Sequence, residues 1–150
     1  MQKTKKRTII LAVIAVLVLV FMLAGCGKSE FGVTGNTNKQ ITITAKNAGK
    51  DAFFSVGSLE VADGEQIVMT SNLENGSVKV EIFKVPDNQS IDKLPEMGGD
   101  PVMTANFDGA DQESKMEKIS GGVAAGIYAV KATCLEKADG TILVEVQQAK

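Results

Sequence analysis

The sequence predicts an all-β protein: a two-layer antiparallel β-sandwich of about eight strands, preceded by an N-terminal signal helix. Three observations predict it. From Gln40 onward apolar residues recur with period two, the spacing of strands half-buried on one face. The alternating runs are punctuated by Asp63-Gly64, Asn75-Gly76, Asp108-Gly109 and Asp139-Gly140, dipeptides that suit tight turns. No stretch of residues 40–150 carries an apolar stripe at helical spacing over three turns.

Taken in chain order, Ile41, Ile43 and Ala45 alternate with Thr42, Thr44 and Lys46, so the first three share a core face. Residues 55–61 and 65–70 are the next β-type runs, on either side of Asp63-Gly64. Val78, Val80 and Ile82 alternate with Lys79, Glu81 and Phe83, which sets Phe83 on the face away from the core. Phe53 and Phe54 are adjacent and so point to opposite faces of a strand, which leaves one large ring outward or under a loop. Residues 85–100 form the longest unpatterned stretch, with one short helical candidate at 90–94 that Ser90 would cap and Pro95 would stop. Ile91, Leu94 and Met97 recur there at intervals of three, a ridge suited either to plugging one end of a sandwich or to binding a partner. Further strands are expected at 102–107, 115–120 and 126–135, and Ile142, Val144 and Val146 alternate with Thr141, Leu143 and Glu145 in the last. Periodicity leaves the topology open between jelly-roll and immunoglobulin-like.

Ahead of this domain, residues 1–7 are basic, residues 8–22 are unbroken apolar, and Leu23-Ala24-Gly25-Cys26 follows directly. A charged, then apolar, then small-residue order is that of a secretory signal. The four residues at 23–26 resemble the lipobox of bacterial lipoproteins: Leu, two small residues, then Cys. The resemblance implies cleavage between Gly25 and Cys26, a diacylglyceryl thioether on Cys26, and a location on the extracytoplasmic face of the cell membrane. Two acyl chains suffice for durable anchoring, since each buried methylene contributes about 0.8 kcal/mol. The competing reading is an uncleaved anchor, but residues 8–24 number 17, at the lower limit for a spanning helix. The expected division is therefore a signal peptide at 1–25, a Gly-, Asn-, Thr- and Ser-rich flexible tether at 26–39, and a sandwich at 40–150.

Charge narrows the partners. The chain holds 16 basic and 18 acidic residues, and Lys3, Lys5, Lys6 and Arg7 all lie in the signal segment, so the remainder carries a net −6. No basic stripe is left to release counterions from a phosphate backbone, which argues against nucleic acid. The chain has no histidine, which removes the commonest general base and the Ser-His-Asp and Cys-His arrangements. Once Cys26 is acylated, Cys134 is the one remaining cysteine, a free thiol that shares a strand face with Tyr128, Val130 and Ala132. That position suits a small buried apolar group better than a nucleophile. Asp108, Asp111 and Glu113 are spaced closely enough to hold calcium, yet Asp108-Gly109 is already accounted for as a turn. A glycosidase cleft needs aromatic platforms, and the chain has no Trp and one Tyr.

The segment Gly122-Val123-Ala124-Ala125-Gly126-Ile127-Tyr128-Ala129-Val130 resembles the strand opening of bacterial pre-peptidase C-terminal domains and related jelly-roll modules, where Gly, one residue and Tyr start a strand. Such modules are noncatalytic accessories of secreted proteins, which is what the resemblance implies here. The expectation is a noncatalytic module without a cofactor, held at the membrane through lipidated Cys26 and binding a protein or envelope component, with Phe53, Phe83, Ile91, Leu94 and Met97 as candidate contacts. A calcium- or small-ligand-binding accessory is the alternative, and a lipid-anchored hydrolase built from Asp, Glu, Ser or Lys is the third.

Overall fold

The computed structural model describes residues 29–87, 99–111 and 117–149. Nine strands run through them: β1 (Glu30–Asn36), β2 (Gln40–Ala48), β3 (Phe53–Val61), β4 (Glu65–Asn75), β5 (Ser77–Lys84), β6 (Met103–Asp108), β7 (Lys118–Ile119), β8 (Gly126–Cys134) and β9 (Ala138–Gln148). They form two antiparallel sheets, one ordered β1-β2-β9-β4-β7 and the other β3-β8-β5-β6. The described residues contain no helix, and the expected signal helix and the 90–94 candidate lie outside them.

The connectivity decides between the two sandwich topologies. β2 pairs with β9, β3 with β8, β4 with β7 and β5 with β6. These are the rungs of one long antiparallel ribbon folded at the β5–β6 hairpin. Rolling that ribbon sets β4 beside β9 and β5 beside β8, which is the jelly roll rather than the immunoglobulin arrangement. Apart from the β1–β2 and β5–β6 hairpins, every connection between consecutive strands changes sheet.

The alternation predicted from sequence lines the space between the sheets. Ile41, Ile43 and Ala45 from β2, Val78, Val80 and Ile82 from β5, and Ile142 and Val144 from β9 are all buried, with Val146 packed at the margin. Tyr128, Val130, Ala132 and Cys134 of β8 and Phe107 of β6 line the same space beside the β5 residues, across from β2 and β9. Each fully buried Val, Leu, Ile or Phe contributes about 1.5–3 kcal/mol, so these strands hold the domain together.

Two local expectations are corrected. Composition predicts a flexible tether at 26–39, but Glu30–Asn36 is a strand at the edge of the larger sheet, paired with β2 from Glu30 opposite Lys46 to Asn36 opposite Ile41. Phe31 and Val33 pack against the core, which supplies the burial that composition alone did not promise. Asp139-Gly140 is not a turn. It lies inside β9, between β2 and β4, and a Cβ on Gly140 would sit 2.5 Å from the Asn72 carbonyl oxygen and 2.6 Å from Leu73 Cα. The glycine is there for close backbone approach, and Asp139 accepts a hydrogen bond from the Asn47 N–H across the adjoining bulge in β2. The chain turns instead at 135–137, where the N–H groups of Leu135 and Glu136 both donate to the Ser77 carbonyl.

Candidate functional site

The outward face of the four-stranded sheet is built by the residues of β8 that do not enter the core: Ile127, Ala129, Lys131 and Thr133. The register stacks neighbours beside each of them. Ala129 stands between Ser58 on β3 and Phe83 on β5. The Val102 N–H donates to the Ile82 carbonyl at 2.7 Å and the Val85 N–H to the Ile127 carbonyl at 2.9 Å, which continues the ladders past the strand ends. Val102 therefore flanks Phe83, and Val85 flanks Ile127. Ala129 and Val85 are buried although they lie outside the inter-sheet core, Phe83 is half-buried, and Val102 and Ile127 remain 48 % and 44 % exposed. The result is a small apolar surface at one end of this face.

Along the same face the chemistry becomes polar, with Lys131 exposed and the Lys79 ammonium 3.3 Å from the Glu81 carboxylate. At the opposite end Phe53 stands beside Thr133 and is 65 % exposed, with Leu135, 37 % exposed, two residues further along. The structure thus places Phe53 and Phe83 on one face but not together. Their partners on β8 are four residues apart, roughly 13 Å at strand spacing. Ile91, Leu94 and Met97 lie outside the described residues, as do Gly25 and Cys26.

Asp108 ends β6, and its carboxylate accepts the Ala110 N–H at 2.8 Å while its carbonyl accepts the Asp111 N–H at 3.2 Å. That is turn geometry, and Asp108 and Asp111 are both exposed. Glu113 is outside the described residues, among which no group of three or more His, Cys, Asp or Glu gathers to hold a metal ion. The Cys134 sulfur is fully buried, and burial pushes its thiol up to about 11, so thiolate is scarce at neutral pH. Burial also raises the Tyr128 hydroxyl, which donates to the Ala124 carbonyl at 2.6 Å and pins the chain where Gly126 opens β8. Tyr128 is therefore a structural anchor of this strand opening.

Beside the apolar end, one carboxylate holds three segments together. Glu65 accepts from the Lys39 ammonium at 2.6 Å and the Ala62 N–H at 2.7 Å, and Lys39 also donates to the Glu60 carbonyl at 2.8 Å. The Lys39 hydrogen bond, followed by that from Ala62, keeps the Glu65 carboxyl below its ordinary range. The cluster clamps the β1–β2, β3–β4 and β4 ends and presents no free base.

Val85, Val102, Ile127, Ala129 and Leu135 were not singled out by the core pattern. A signal existed: Ile127-Tyr128-Ala129-Val130 is apolar at both parities, which marks a strand covered on both sides.

Fold and surface together define a jelly-roll sandwich with one sheet face that is apolar at both ends. No family model and no curated protein matches the chain.

Proposed function

We propose that the protein is a lipid-anchored, extracytoplasmic lipoprotein whose sandwich is a noncatalytic binding module, presenting the Phe83, Val102 and Ile127 surface to a protein or envelope component. The observation that carries this reading is the polarity of the sandwich. β1 begins at Glu30, opposite Lys46, at the end where β2 leaves for β3, β8 leaves for β9 and β4 leaves for β5. The Phe83, Val102 and Ile127 surface lies at the other end, where β3 closes with Val61 opposite Gly126. An anchor at Cys26, four residues before Glu30, would turn that surface away from the membrane and toward whatever the envelope presents.

The absence of histidine, the buried unionised thiol and the structural roles of Glu65, Asp108 and Tyr128 support a module that binds without catalysing. The test is a photo-crosslinking residue placed at Val102 or at Ile127 in the full chain expressed in a bacterial envelope. A discrete adduct at both sites, lost when the other site is changed to Lys and absent from a probe at Asn72 on the other sheet, is expected. Equal, diffuse labelling from all three sites would refute the surface, and a Cys26→Ser chain that still partitioned with the detergent phase after processing would refute the anchor.

A further inference from the structure

The end of the sandwich from which the N-terminal segment leaves carries its own apolar feature. Among the described residues Phe53 is the most exposed large apolar side chain, at 65 %, and Leu135 at 37 % lies diagonally across the β3–β8 ladder from it. That ladder continues beyond the strands, because the Asp51 N–H donates to the Cys134 carbonyl and the Cys134 N–H to the Ala52 carbonyl, both at 2.8 Å. Both residues thus lie where the backbone is still hydrogen-bonded into the end of the sheet.

Phe53 and the start of β1 share one corner. β1 and β3 are the edge strands of their respective sheets, and they run along the same side of the sandwich, where the Glu60 N–H donates to the Asn38 carbonyl at 2.7 Å and Asn36 lies against Gly57. Glu30 and Phe53 both stand at the same end of that side. Since β1 begins at Glu30, only three residues lie between it and Cys26, and the four Cα–Cα steps reach at most about 14 Å when fully extended. A lipid inserted at position 26 would therefore hold this corner within about that distance of the bilayer, with no long spacer to lift it away.

We propose that Phe53 and Leu135 enter the headgroup boundary of the bilayer, so that the domain docks on the membrane by this corner instead of hanging from its lipid. The proposal rests on the anchored reading given above. Charge at the corner is balanced: Lys46, Lys50 and Lys137 are exposed beside exposed Glu30, Asp51 and Glu136. Further round the same end stand Glu74, Asp108 and Asp111, all exposed. Attraction to anionic lipid is therefore not the driving force, and the contact is made by apolar side chains alone. The lipid anchor supplies the effective concentration that lets so small an apolar contact count.

The chain contains no tryptophan, so Phe53→Trp introduces a single reporter in an exposed position that asks little of folding. The full lipidated chain is reconstituted into zwitterionic phospholipid vesicles with and without brominated acyl chains. Emission at shorter wavelength than in detergent-free buffer and quenching by the brominated lipid are expected for Phe53→Trp. Neither is expected for Val102→Trp at the opposite end. Adding Leu135→Lys to Phe53→Trp should reverse the shift, and anionic lipid should not strengthen it. A solvent-like, unquenched reporter at position 53 on protein that floats with the vesicles would overturn the docking while leaving the anchor intact. Quenching that appears only with anionic lipid would overturn its apolar basis, and protein that carries no lipid and does not float would overturn anchor and docking together.

Discussion

Replacing Phe31 by Ala should destabilise the domain by about 2 kcal/mol. Phe31 lies on β1 opposite Ala45 and packs against the core while remaining half-buried. Truncating a fully buried Phe to Ala costs about 3–5 kcal/mol through lost transfer energy and the cavity left behind, and a ring half in water forfeits roughly half of that. In a flexible spacer the same change would fall within about 0.5 kcal/mol of zero. Urea unfolding of the chain from residue 27 onward, followed by circular dichroism, separates the two outcomes. With a slope of about 2 kcal/mol per molar, the midpoint should fall by roughly 1 M. An unchanged midpoint and slope would refute the assignment of Glu30–Asn36 to the sheet, and with it the short reach between Cys26 and the sandwich.

Three more outcomes follow from single side chains. Cys134 should resist a neutral-pH thiol reagent in the folded protein and react at once in denaturant, because burial holds the thiol near 11; rapid native labelling would contradict its place in the core. Glu65 has a folded pKa below its ordinary 4.5, so its contribution to stability is complete above that value and is lost as pH falls through the lowered folded one. Thermal melts of Glu65→Gln should therefore show a flatter loss of stability below pH 4.5 than the parent chain, and identical acid profiles would remove the Lys39–Glu65 clamp. Gly140→Ala should cost about 3 kcal/mol, since φ is 129° there and the added methyl meets the β4 backbone; a melting temperature equal to the parent's would show that β9 does not run so close to Asn72 and Leu73.

The core was legible because its information is local. In Ile41 to Ala45, Val78 to Ile82 and Ile142 to Val146, each residue's side is fixed by parity, and the structure buries the sides that parity assigned. β1 was not legible, because Gly32, Gly35 and Asn36 have the composition of a spacer; its order comes from pairing with β2 and from Phe31 and Val33 meeting residues distant in sequence. Asp139-Gly140 misled for the same reason: the dipeptide suits a turn, and only the presence of β2 on one side and β4 on the other shows why a glycine stands there. The outward setting of Phe83 followed from alternation, but its neighbour Val102 immediately precedes a strand that meets β5 only in the fold. Asp108 and Asp111 were close in sequence, and the structure spends the Asp108 carboxylate on the turn.

The proposed orientation of the sandwich and the proposed membrane contact both require a lipid at residue 26. Mass spectrometry of the protein purified from bacterial membranes reads this directly. The account predicts an amino-terminal peptide beginning at Cys26 and carrying the added mass of a diacylglyceryl group. A peptide that begins at Met1 and carries no lipid would contradict it.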